Sequence, residues 1–151
     1  MWQTIFAVTN WIALAGWFTL IVLPRRPLPM ALVLYGGVMM LCVAYVAMLV
    51  ALVTQVVDPV PVSGFEPNGL SYSIEGLRQL FLSDGGIVLG WTHYLAFDLF
   101  AGLWIARDAD AKRFARWVQV PILLATFLAG PLGLFIWLIV REKRARKSAA
   151  V

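Results

Sequence analysis

Charge is what this chain lacks most. Only 13% of its 151 residues are Asp, Glu, Lys or Arg, and 62% are hydrophobic. A soluble domain is about a quarter charged and about half apolar, which excludes a water-soluble globule. With one cysteine, Cys42, no disulfide can form within the chain. Lying in an apolar run, Cys42 reads as a small buried hydrophobe. One cysteine and one histidine, His93, in separate apolar runs cannot assemble a usual zinc set, so no metal is expected. Phosphate loops, serine-triad motifs and dinucleotide fingerprints are missing too. The net charge of +4 does not point to nucleic acid, because the basic residues cluster beside apolar runs, as anchors against anionic headgroups do.

What the chain has instead is long apolar segments. A membrane-spanning helix needs about 20 apolar residues. Four segments qualify: Ile5 to Leu23, Met30 to Val53, Ile87 to Ala106 and Val118 to Val140. The expected fold is therefore all-α: one transmembrane domain over residues 1–151, an integral membrane four-helix bundle. Gly130-Pro131-Leu132-Gly133 is expected to kink the fourth span, although a re-entrant turn there is an alternative. The one long connection, 54–86, is expected to carry a short amphipathic helix near Ser71 to Leu82 that lies at the surface. Asp84-Gly85-Gly86 is expected to end that helix.

In the second span, Gly37, Ala44 and Ala51 form a small-residue packing seam. Asn10 in the first span is expected to make an interhelical hydrogen bond. The tryptophans are expected mostly at span ends and faces. Four spans put both termini on one side, together with Arg78, Arg141, Lys143, Arg144, Arg146 and Lys147. Arg25, Arg26, Arg107, Lys112, Arg113 and Arg116 fall on the other. The two sets are equal in number, so orientation rests on the first span, which favours an outside N-terminus.

The third span holds the chemistry. At roughly 100° per residue, with His93 at zero, Trp104 lies at about 20°, Phe97 at about 40°, Tyr94 at about 100°, Asp98 at about 140° and Trp91 at about 160°. Leu95, Val88, Leu99, Thr92, Leu103, Ala96, Leu89 and Phe100 fill the opposite arc. Hydrocarbon tolerates exposed ionisable groups poorly. The polar-aromatic arc is thus expected to face the bundle and the aliphatic arc the lipid. A neutral Asp98 would suit a general acid and a neutral His93 a base, with Tyr94 between them. Trp91, Phe97, Trp104 and Asn10 are candidate substrate contacts, and Arg107 and Asp108 candidate supports. The other reading is structural: buried Asp and His side chains tying helices together.

The run Trp91-Thr92-His93-Tyr94-Leu95-Ala96-Phe97-Asp98-Leu99-Phe100, then Arg107-Asp108 and Gly130-Pro131-Leu132-Gly133-Leu134, resembles the abscisic-acid-deficient-four-like family. Asn10 and Leu23-Pro24 of the first span are similar as well. These are small membrane proteins of about four spans, and their plant member is the neoxanthin synthase of carotenoid metabolism. The resemblance implies an isomerase acting on a carotenoid or related isoprenoid. A 5,6-epoxide opens and a neighbouring proton leaves, which needs an acid and a base but no redox cofactor. A hydrophobic isoprenoid or lipid ligand is the expected partner, a homo-oligomer stays open, and a multi-pass place in a bacterial inner membrane is expected. The alternative is a non-catalytic carotenoid or lipid binder, or a membrane-assembly partner.

Overall fold

A computed structural model describes residues 1–54, 56–57, 65–66, 69–70 and 73–149, with backbone alone at 65–66, 69–70 and 143–149. It is helical throughout, apart from one antiparallel pair of two-residue strands, β1 (Phe65–Glu66) and β2 (Gly69–Leu70). Three helices are long and apolar enough to cross a membrane: α1 (Trp2–Val22), α2 (Pro27–Val53) and α4 (Asp84–Ala111). The chain is a membrane protein.

Local sequence explains where these helices stop and start. Pro24 follows α1, and Leu23 is already extended there (ψ 156°). Pro27 opens α2 at a position where its missing N–H costs nothing. Inside α2, Leu32–Met39 is wound as a π-helix through Gly36 and Gly37. Helix α3 (Ile74–Leu80) begins at Ser73, whose Oγ accepts from the Gly76 N–H. Its Ile74 and Leu77 stay exposed, as on a surface-lying connector. Ser83 Oγ accepts from the Gly86 N–H, so Asp84-Gly85-Gly86 begins α4 rather than ending α3. Most of the 54–72 connection, including Asp58-Pro59-Val60-Pro61, lies outside the described residues.

Helices α1, α2 and α4 meet at small residues. Leu99 of α4 inserts between Gly16 and Gly37; a Cβ on either would come within 2.7 and 2.9 Å of its Cδ2. Gly102 receives the Trp17 ring in the same way. The seam at Gly37 therefore packs as expected. Trp17 and Trp137 are buried in the core, not in an interface belt, and Cys42 is exposed rather than buried.

The fourth apolar segment departs from expectation. It is broken at Ala129, which is extended (φ −158°, ψ 92°), into α5 (Arg116–Leu128) and α6 (Gly130–Ala149). The break is a reversal, not a kink. Gly133 lies against the backbone of Thr126, and Trp137 stacks on Phe114 with ring centroids 5.0 Å apart. A continuous helix would hold residues 126 and 133 about 10 Å apart. Helix α5 is 13 residues long, about 20 Å, against a hydrocarbon core of about 30 Å. The two arms form a hairpin whose tip reaches the middle of α4. Where a fourth long helix was expected, the described residues show two shorter helices folded back on each other beside the three long ones.

Polar contacts fasten the open end of the hairpin. Asp108 of α4 accepts from Lys112 Nζ (2.6 Å), the Trp137 indole (3.0 Å) and Arg141 Nε (2.8 Å). Arg116 donates to the carbonyls of Ile21 and Leu23 at the end of α1. Arg141 thus returns to the Asp108 end of α4, whereas Trp2 and Gln3 share a cleft with Asp84 at the other end. Gln3 and Arg141 therefore lie at opposite ends of the bundle. Along the chain, Arg25, Arg26, Arg107, Lys112, Arg113, Arg116, Arg141 and the α6 tail all fall at one end, with Arg78 at the other.

Candidate functional site

Helix α4 buries Asp98 and packs Tyr94 against the core as expected, but otherwise turns its aliphatic arc inward and its aromatic arc outward. Val88, Leu89, Thr92, Leu95, Ala96, Leu99 and Leu103 are buried in the bundle. His93, Phe97, Phe100 and Trp104 form an exposed stripe, with Phe97 60% exposed. In lipid, apolar surface gains nothing by hiding from the solvent, so close packing of small residues decides which face turns inward. His93 is held in a ring stack on this outer stripe, 5.5 Å from Tyr45 and 4.6 Å from Phe97. Further along it, the Arg141 guanidinium lies over Trp104 at 5.6 Å.

Asp98 is placed differently, buried with 8% exposure under the hairpin tip. It accepts from the Gly130 N–H at 3.3 Å. That donor is one of the orphan amides of the first turn of α6. Gly130 leaves room for the carboxylate, since a Cβ there would overlap it. Tyr94, one turn before Asp98, donates its hydroxyl to the Leu128 carbonyl at 3.1 Å. Broken backbone at membrane depth needs such partners. Tyr94 and Asp98 satisfy one group on each side of the break.

Because the hairpin reaches only half-way, one side of α4 is covered below Asp98 and open above it. At roughly 120–160° from His93, Asp98, Ile105 and Ala109 are buried while Ile87 and Trp91 are exposed. A notch results. Its wall is Phe6, Trp91 and Tyr94, whose successive ring centroids are 6.0 and 5.3 Å apart. Asn10 of α1 fixes this wall by accepting from the Trp91 indole at 3.1 Å while donating to the Phe6 carbonyl at 2.6 Å. The interhelical bond expected of Asn10 is present. The floor is the hairpin tip, where Leu128 is 75% exposed. At the upper end, a cleft of about 210 Å³ is lined by Trp2, Gln3, Phe6, Asp84, Ile87 and Val88. A larger groove of about 440 Å³ between α1 and α2 has no ionisable lining residue and none of the candidates.

Of the residues singled out from sequence, Tyr94, Asp98, Trp91 and Asn10 converge on this notch. His93, Phe97 and Trp104 do not; they are exposed on the other side of α4. Arg107 is exposed, and Asp108 belongs to the fastening at the basic end. Phe6, Ile87 and Leu128 were missed because an apolar residue in a span carries no mark of what it lines. Among the described residues, no group of three or more His, Cys, Asp or Glu could hold a metal ion.

Residues 4–137 match the family model described as ABA DEFICIENT 4-like. The chain belongs to that family. No curated protein and no solved structure matches it.

Proposed function

We propose that this protein takes a long apolar isoprenoid, of carotenoid type, from the bilayer into the notch and isomerises it by proton transfer through Tyr94 and Asp98. One observation carries the reading. A phenol and a carboxyl one turn apart on α4, both bonded to the hairpin tip, stand beside a row of exposed aromatic rings. Rings suit a polyene, and the pair suits an oxygen-bearing end group. In the epoxide-opening chemistry of the family, Tyr94 exchanges the Leu128 carbonyl for the epoxide oxygen and protonates it. The C–O bond breaks, Asp98 reprotonates the phenol, and the proton lost from the neighbouring carbon returns to the carboxylate. No electrons are gained or lost. His93 has no part in this relay, since it lies about 140° around the helix from Asp98.

A second reading has its own support. Every hydrogen bond of Tyr94 and Asp98 also steadies the hairpin tip, which suits a non-catalytic carotenoid holder or assembly partner. Asp98→Asn separates the two. Asparagine still accepts from Gly130 but relays no proton. In a host that accumulates an epoxide-bearing carotenoid, the wild type is expected to yield an isomer resolved by chromatography. Asp98→Asn is expected to lower the product at least about 100-fold with little change in unfolding temperature, and His93→Ala to retain it. Full product from Asp98→Asn rules out the relay. Pigment that co-purifies unchanged, with substrate present in the host, leaves the holder.

A further inference from the structure

Arg25 lies in the short turn between α1 and α2, with only 10% of its side chain exposed. Its Nη1 donates to Asp110 Oδ2 at 3.4 Å. Nε and Nη2, which form the side-on fork of the guanidinium, are buried and have no acceptor among the described residues. Arg141 shows such a fork filled, its Nε and Nη2 gripping the two oxygens of Asp108 at 2.8 and 3.3 Å. A buried donor left without a partner is costly, and a charged one more so.

The surroundings of the fork are cationic. Arg116 is close enough to repel Arg25, and it is fixed in place by the Ile21 and Leu23 carbonyls. Asp110 is the carboxylate beside them, and its other oxygen accepts from Gln119 Nε2 at 2.9 Å. Gln119 Oε1 is itself buried without a partner. Two guanidiniums and one carboxylate leave a net positive charge around a buried bidentate donor that lacks an acceptor among the described residues. The cluster lies where α1 ends and α4 turns into α5, the level at which a bundle of this length meets lipid headgroups.

We propose that the Arg25 fork, backed by Arg116, binds a phosphate group. A phosphate offers two oxygens at the spacing a guanidinium fork grips, and its charge matches the excess. Gln119 Oε1 can accept from a hydroxyl of the bound group. The source is either the headgroup of an anionic phospholipid or free inorganic phosphate.

Thermal unfolding of the detergent-purified full chain tests this at constant ionic strength, with inorganic phosphate, phosphatidylglycerol or phosphatidylcholine added in turn. A saturable rise with phosphate assigns the site to the free ion. A rise with phosphatidylglycerol and none with phosphate assigns it to the headgroup. Arg25→Gln is expected to remove the response, and the exposed neighbour Arg26→Gln to keep it. Arg25→Lys retains the charge without the fork and is expected to weaken half-saturation at least about tenfold; it carries the test alone if Arg25→Gln does not fold. The proposal is overturned if neither ligand shifts the wild type, which would leave the fork to an ordered water. It is equally overturned if Arg25→Lys responds like the wild type, or if phosphatidylcholine matches phosphatidylglycerol.

Discussion

Gly133→Ala is expected to lower the unfolding temperature and the folded yield sharply. The added Cβ would meet the backbone N and Cα of Thr126 and its hydroxyl across the hairpin. Backbone cannot swing aside as a side-chain tip can, so the two arms would have to part. Trp137 would then lose its buried place against Phe114, and Arg141 its reach to Asp108. Overpacking of this kind typically costs about 1–3 kcal/mol, and a backbone neighbour that cannot swing aside puts this site at the upper end, a large share of a small domain's stability. Gly36→Ala is the matched control, because a Cβ there meets nothing within 4 Å. Unfolding temperature and monodisperse yield in one detergent measure both. A Gly133→Ala protein that unfolds within a few degrees of the wild type would mean that the arms do not pack this closely.

Labelling from one side of the membrane is expected to separate residues 3 and 142 completely. Gln3 lies beside Asp84 at one end of α4, and Glu142 follows Arg141 at the other. In a Cys42→Ser background, Gln3→Cys should react in intact cells with a membrane-impermeant maleimide. Glu142→Cys should react only after the cells are broken. The sign follows from charge: Arg25, Arg26, Arg107, Lys112, Arg113 and Arg116 flank the spans at the same end as Arg141, and basic flanks stay in the cytoplasm. Four full crossings predict instead that both sites react from the same side. Equal labelling of the two would sink the re-entrant hairpin, while labelling with the sides exchanged would sink only the orientation.

The three long helices were legible because hydropathy over about 20 residues measures what a crossing requires. Direction was not. Residues 118–140 contain enough apolar side chains for one crossing, and a hydropathy window cannot tell a straight helix from two short ones folded together. Two signals were present. Gly130 and Gly133 flank Pro131, and the four-span reading divided the basic residues equally between the sides, which is unusual for a membrane protein. The facing of α4 was misread for a different reason. His93 was assumed to shun lipid, yet its ring stacks between Tyr45 and Phe97 on the outer face. Gly102, Ala96 and Thr92 turn inward because small residues let backbones approach. Asp98 was read as buried, and it is. Its partner, an amide 32 residues later, depends on a chain reversal that no local spacing announces.

The hairpin also bears on how the protein enters its membrane. After α4 has been threaded, nothing that follows needs to pass to the far side. The hairpin starts at Arg116 and returns at Arg141 to the same end of the bundle, so a chain inserted with this geometry takes up the segment as a paired wedge. Asp98 meets the tip of this wedge and Asp108 its base. On that geometry the apolar arms supply the drive into the bilayer, and the two acids on α4 set where the wedge comes to rest.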